Sequence, residues 1–261
     1  MIAASGSFLT GMNNYLVKLG PDNLGVDGNS IEWHNAASFP ASMSRIRLQD
    51  MARLLADGLA LQLARKRDRP VCLVNIAGGP AADSWNAVIH LHRLDSASLK
   101  GRRIVIAVFD IDHHGPTFGS RALAALCAPS CPLSRLEINF RFIEYEWAEA
   151  DRLLHALEGV CAEDAICAIS SEGGLFEHGS DHEITANLKK LHIGTASDAI
   201  LVGSVTRDGE PVRSFQRASR VATRPRTIEA FGRLAERAGW IVERVIEQPF
   251  SYNVSRVKAQ L

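Results

Sequence analysis

The sequence predicts an α/β protein: a doubly wound, mostly parallel sheet of seven strands with an antiparallel terminal hairpin, preceded by a helical amino-terminal segment. Three observations carry this. Short apolar runs alternate with helix-periodic stretches from Val71 onward, as in sheets covered by helices on both faces. The first run, Val71 to Ile76, passes through Gly78-Gly79-Pro80 directly into a helical pattern. The chain closes on two alternating runs, Trp240 to Glu247 and Tyr252 to Lys258, whose short link QPFS forces antiparallel pairing.

Residues 1–66 lack a buried-strand pattern and read as a helical cap, with the long amphipathic stretch Ser44 to Arg65 closed by KRDRP. This segment either clads the sheet or forms one wall of a substrate pocket, with Tyr15 and Trp33 as its aromatic surfaces. Residues 67–261 form the sheet domain. Its strands are expected at Val71 to Ile76, Arg103 to Phe109, Glu137 to Tyr145, Ala165 to Ser170 and Ala199 to Val205. Helices fall at Ser84 to Leu94, Phe118 to Leu126, Glu149 to Leu157, Glu183 to His192 and Thr227 to Ala238.

Composition narrows the function. With 29 basic and 29 acidic residues among 261, no net field draws the chain toward nucleic acid or an anionic membrane. The basic tract Arg213 to Arg226 reads as a solvated surface loop. No apolar run is long enough to span a bilayer, and the amino terminus lacks a signal-peptide pattern, so a soluble cytoplasmic protein without a membrane partner is expected. Five cysteines without a CxxC pair, two of them inside strands, read as reduced thiols of a reducing compartment. The exposed edge of the terminal hairpin offers a surface for a homodimer.

The glycine turn supplies the chemistry. Gly78 and Gly79 tolerate positive φ and carry no side chain to bar a ligand from the backbone, while the following helix points its unpaired N–H groups into the same space. The second strand ends one helix later in Asp110, a carboxylate able to accept from a ribose diol. Together they indicate a nucleoside-containing cofactor.

From about residue 70 to 258 this pattern resembles the class I S-adenosylmethionine-dependent methyltransferases. The resemblance implies S-adenosylmethionine as cofactor, with Ala77, Gly78, Gly79 and Ala81 around its methionine moiety, and Asp110, with Ile111 beside it, at the ribose. The EYEWAE loop would line the adenine through Tyr145, Glu146 and Trp147, with Glu144 a second acceptor for its amine. Ser170, Ser171 and Glu172 would face cofactor and acceptor, and SEGGLFEH is similar to a segment of carboxyl methyltransferases. The chain departs from the family pattern where Asn75 replaces an acidic residue, where Ala81 and Ala82 replace a third glycine, and in having no N/D-P-P-Y/F motif after the fourth strand.

Methyl transfer to a small-molecule acceptor needs positioning, exclusion of water and, for a hydroxyl or carbon acid, removal of a proton. His178, in a glycine-flanked loop, is the first candidate base, and Glu172 the second catalytic candidate. His182, His113 and His114 lie at the same sheet edge. Arg45 and Arg47 are candidates to meet a carboxylate of cofactor or substrate.

Two other readings remain open. Asp110, Asp112, His113 and His114 resemble the Asp-His-His motif of manganese-dependent phosphoesterases, whose upstream aspartates would be represented here by Asp83 alone. The altered glycine turn also fits a non-catalytic relative serving as a partner subunit. A nicotinamide enzyme is disfavoured because GGPAAD does not keep the G-x-G-x-x-G spacing.

Overall fold

A computed structural model of the 261-residue chain describes residues 20–24, 30–162, 164–219 and 222–258. The expected roles of Tyr15 and of the first nineteen residues lie outside the described residues.

The strands are β1 (Val71–Ile76), β2 (Arg103–Asp110), β3 (Glu137–Glu144), β4 (Ile166–Ser171), β5 (Ile200–Thr206), β6 (Trp240–Glu247) and β7 (Ser251–Lys258). They form one sheet in the order β3-β2-β1-β4-β5-β7-β6. Six strands share a direction and β7 runs against its neighbours β5 and β6, so the expected sheet and terminal hairpin are both present. β1, β4 and β5 are buried along their whole length, which explains their near-continuous apolar sequences. Strand order reverses between β1 and β4, opening a crevice beyond their carboxyl ends.

The helices are α1 (Ser30–Ala37), α2 (Phe39–Arg65), α3 (Ala82–Leu94), α4 (Ser96–Leu99), α5 (His114–Leu126), α6 (Asp151–Glu158), α7 (Leu175–His178), α8 (Asp181–Gly194), α9 (Glu210–Ser219) and α10 (Ile228–Glu236). On one face of the sheet, Met51, Leu55, Leu59 and Leu63 of α2 and Val88 and Leu91 of α3 pack on Leu73, Ile104 and Ile106. On the other, Leu153 of α6, Leu188 of α8 and Phe231 of α10 cover Val74, Phe109, Ile169 and Leu201.

Local chemistry sets the helix starts. Ser38 caps α2 by accepting from Ala41 N, with Pro40 at the first turn. Ser180 and Glu183 form a reciprocal capping box at α8, whose first turn precedes the expected start at Glu183. The amino-terminal half of α2 reaches the carboxyl edge of the sheet, where Asp50 accepts from Gln248 Nε2 at 2.8 Å and Asn253 Nδ2 at 3.0 Å.

Two expectations are corrected. The tract Arg213 to Arg226 is not a plain loop, because its first part lies in α9 and its charges have local partners. Arg213 pairs with Asp208 and Arg217 with Glu210, whereas Arg226 is buried against Asp181 and the carbonyls of Phe176 and Gly179. The cysteines are not all thiols: Cys72 of β1 and Cys161, after α6, form a disulfide with Cα atoms 5.8 Å apart. These two lie 89 residues apart in sequence, so no local spacing announces the pair. Among the described residues no helix is long and apolar enough to cross a membrane.

Candidate cofactor and acceptor site

The turn after β1 is built around Asn75. Its side-chain Oδ1 accepts from Gly78 N at 2.9 Å, and its Nδ2 donates to Asp83 Oδ1 at 2.9 Å and to Ser170 Oγ at 3.0 Å. Asn75 and Asp83 are fully buried. Gly78 is required by this contact, since a Cβ there would lie 2.3 Å from Asn75 Oδ1. Positive φ falls instead on Ala77 (55°), Gly79 (60°) and Ala81 (52°). Two alanines in the left-handed region each cost roughly 1 kcal/mol, a strain that surrounding contacts must hold. Ala81 provides no side-chain cap to α3.

Asp110 faces this turn from β2. Its Oδ2 accepts from Gly79 N at 3.1 Å and its Oδ1 from Asp112 N at 3.0 Å. Burial raises its pKa above the usual aspartate value, against the lowering effect of the backbone donors of Asp112 and Gly79. A carboxylate has about four acceptor positions, and with Ile111 N as a third backbone donor some capacity remains for the ribose. Ile111, immediately beyond, is 64% exposed and presents an apolar flank next to the carboxylate. A turn without bulky side chains, a carboxylate with spare acceptor capacity and an exposed apolar side chain at the strand-order reversal fit the methionine, ribose and base of a nucleoside sulfonium.

The adenine loop is arranged differently from expectation. Tyr145 is 5% exposed, lies edge-on to Phe109 with centroids 5.9 Å apart, and bonds through its hydroxyl to Asn187 Oδ1. Burial raises its pKa, and the ring belongs to the core. Trp147 packs against that same core, and its carbonyl accepts from Asn187 Nδ2 at 2.8 Å. Glu146 caps the short turn Trp147–Glu149 by accepting from Ala148 N at 3.3 Å. Alternation along β3 accounts for Tyr145, which turns inward one residue past the exposed Glu144.

At the end of β4, Ser170 joins the Asn75 network and Ser171 is 1% exposed. The loop then meets the β1 turn: a Cβ on Gly174 would lie 2.2 Å from the Ala77 carbonyl oxygen. Glu172 and Glu177 are both bound by Arg47 of α2, Nε to Glu172 Oε1 at 2.8 Å and Nη1 to Glu177 Oε1 at 2.7 Å. Ser204 Oγ donates to Glu177 Oε1 at 3.0 Å and accepts from Gly173 N at 3.1 Å. Burial by itself would lower the Arg47 pKa, but the neighbouring charges of Glu177 and Glu172 raise it. Arg47 thus meets carboxylates of the protein itself, and Arg45 bonds the Ala36 carbonyl and Ser42.

His178 closes α7, with Nδ1 2.9 Å from the Ala222 carbonyl oxygen. A carbonyl can only accept, so the bond protonates Nδ1 and leaves the lone pair on Nε2. Trp33 is 50% exposed on α1. His113 and His114 are exposed beside Asp112. Asp83 is committed to Asn75 and stands apart from the Asp112, His113 and His114 cluster, so the upstream carboxylate needed by the phosphoesterase reading is missing. Sequence reasoning named Asp83 only as a metal ligand and did not single out Ser204 or Glu177; the spacing of Asn75 and Asp83 across a tight turn was the one local signal for their pairing.

No family model and no curated protein matches the chain by sequence. Its structure does have relatives. A protein from Bordetella parapertussis described as a possible exported protein superposes with TM-score 0.62 at 17% identity, covering 97% of this chain and 81% of that one. An O-methyltransferase family protein from Burkholderia thailandensis gives 0.54 at 13% identity over 89% of this chain and 61% of the other. The Burkholderia thailandensis 1,6-didemethyltoxoflavin-N1-methyltransferase, solved with 1,6-didemethyltoxoflavin and S-adenosylhomocysteine, gives 0.52 at 14% identity over 82% and 79%. The chain has the class I methyltransferase fold.

Proposed function

We propose that this chain is an S-adenosylmethionine-dependent methyltransferase acting on a small-molecule acceptor. The observation that carries the reading is the pairing of Asp110 with the Gly79 amide at the strand-order reversal, beside the exposed Ile111. Support also comes from the neighbour that holds S-adenosylhomocysteine together with a small heterocyclic substrate.

In this reading Asp110 accepts from the ribose hydroxyls, Ile111 flanks the adenine, and the turn residues Ala77, Gly78, Gly79 and Ala81 surround the methionine end. Bound S-adenosylmethionine supplies an electrophilic methyl group on a sulfonium. The protein's share of the work is to hold the acceptor in line with that methyl and to exclude water. The loop from Ser170 to His182 and the amino-terminal half of α2 form the acceptor side, where Arg47 fixes Glu172 as a stationary carboxylate. His178, whose ring is anchored at the Ala222 carbonyl, takes the acceptor proton where the acceptor is a hydroxyl or carbon acid.

The test is a screen of small aromatic hydroxyl, amine and carboxyl compounds for release of S-adenosylhomocysteine. A turned-over acceptor whose rate falls as pH drops through the titration of one basic group, and falls 10²-fold or more in His178→Asn with the cofactor dissociation constant unchanged, supports both assignments. A pH profile identical in wild type and His178→Asn rejects His178 as the base. Failure of the protein to bind the nucleoside rejects the function.

A further inference from the structure

The turn that follows Asp110 carries donors that methyl transfer does not use. Asp112, His113 and His114 each present one ligand atom, and these three atoms lie within 4.8 Å of one another. The two imidazole rings lie side by side, centroids 4.1 Å apart with planes inclined by 36°.

The backbone brings them together in two steps. Asp112 N donates to Asp110 Oδ1 at 3.0 Å, which folds the chain back at the end of β2, and His114 N donates to Asp112 Oδ1 at 3.0 Å. The second bond anchors the Asp112 carboxylate by one oxygen, beside the two exposed imidazoles.

We propose that Asp112, His113 and His114 form a binding site for a divalent transition-metal ion of the zinc or nickel type, with water completing its coordination. Two imidazoles and one carboxylate select such an ion over magnesium or calcium, which take oxygen ligands. Bonds of about 2.0–2.2 Å to each donor require the donors to stand roughly 3–3.5 Å apart. Exposed side chains reach that spacing by rotating about their own bonds, with no backbone movement.

One force opposes the ion. His114 opens the helix α5, whose positive dipole end repels a cation. Coordination by three donors exceeds a dipole effect spread over an exposed helix end. The site adjoins the glycine turn, since Gly115 packs on Gly79, but its three donors are none of those the methyltransferase reading uses.

The experiment is calorimetric titration of the tag-free full chain with zinc and, in parallel, cobalt, the latter followed by its visible absorption. The site predicts one equivalent bound in the micromolar range, unaffected by excess magnesium, with His113→Ala and His114→Ala each weakening binding at least tenfold. Absence of stoichiometric binding overturns the proposal. So does binding of equal strength in the His113→Ala/His114→Ala double variant, which would place the ion on other side chains. Titration of the same samples with S-adenosylhomocysteine reports separately on the nucleoside site, so either can fail alone.

Discussion

Asn75 Nδ2 donates to Asp83 Oδ1 at 2.9 Å in a fully buried position beneath the glycine turn. The amide stands where the family pattern has an acid, and a carboxylate appears across the turn on α3. The pair sets one acid and one donor in contact in the core. Asn75→Asp sets two carboxylates against each other in the core and should cost several kcal/mol, with Asp83→Asn costing about 1–3 kcal/mol. The double exchange, Asn75→Asp with Asp83→Asn, should recover most of the loss. Denaturant unfolding of the four proteins measures this; strictly additive losses would refute the pairing.

Arg47 is the cation shared by two carboxylates, Glu172 and Glu177, whose side chains are 1% and 7% exposed. Arg47→Ala leaves both buried charges without their cation and should cost about 3–5 kcal/mol. Arg47→Lys should recover only part of this, because one ammonium cannot reproduce a guanidinium fork shared between two partners. Equal midpoints of urea unfolding for wild type and Arg47→Ala would contradict the arrangement.

The Cys72–Cys161 disulfide closes a loop over a sequence separation of 89 residues. Chain-entropy arguments give it at most about 4–5 kcal/mol. Peptide mapping without reductant should find the Cys72–Cys161 linkage, and reductant or Cys161→Ser should lower the thermal midpoint. A mapped protein with both cysteines alkylated as thiols would refute the bond.

Asp110 gives the site an acid limb. Only its ionised form accepts from both ribose hydroxyls, and burial holds its pKa above the ordinary aspartate value. Nucleoside affinity should therefore be full above that raised pKa and fall as pH drops through it, earlier than for an aspartate titrating at about 3.9. Folding stability has the opposite sign, since a carboxyl protonated more readily in the folded state is relieved of its burial cost as pH falls. Affinity measured across the acid range should lose this limb in Asp110→Asn; an unchanged profile would remove Asp110 from the site.

The sheet was legible because its signals are local. β1, β4 and β5 are apolar throughout since both faces are covered, and the terminal hairpin is two alternating runs with a short link. The single-turn helix α7 is too short to show a period, and α9 lies in a polar tract where charge masked the helix. Contacts that close the site are long-range: Arg47 reaches Glu172 across 125 residues and Glu177 across 130. Tyr145 illustrates a different limit, because its residue type suits base stacking while the alternation of β3 turns it into the core.

The central claim is that the Gly79–Asp110 crevice binds a nucleoside sulfonium. Calorimetric titration of the purified chain with S-adenosylhomocysteine, alongside Asp110→Ala, tests it directly. The account predicts one site of micromolar affinity in the wild type, weakened by about 1.5–3 kcal/mol for each charge-assisted bond lost in a variant that remains folded. No heat of binding up to millimolar nucleoside, or equal affinity in Asp110→Ala, would contradict it.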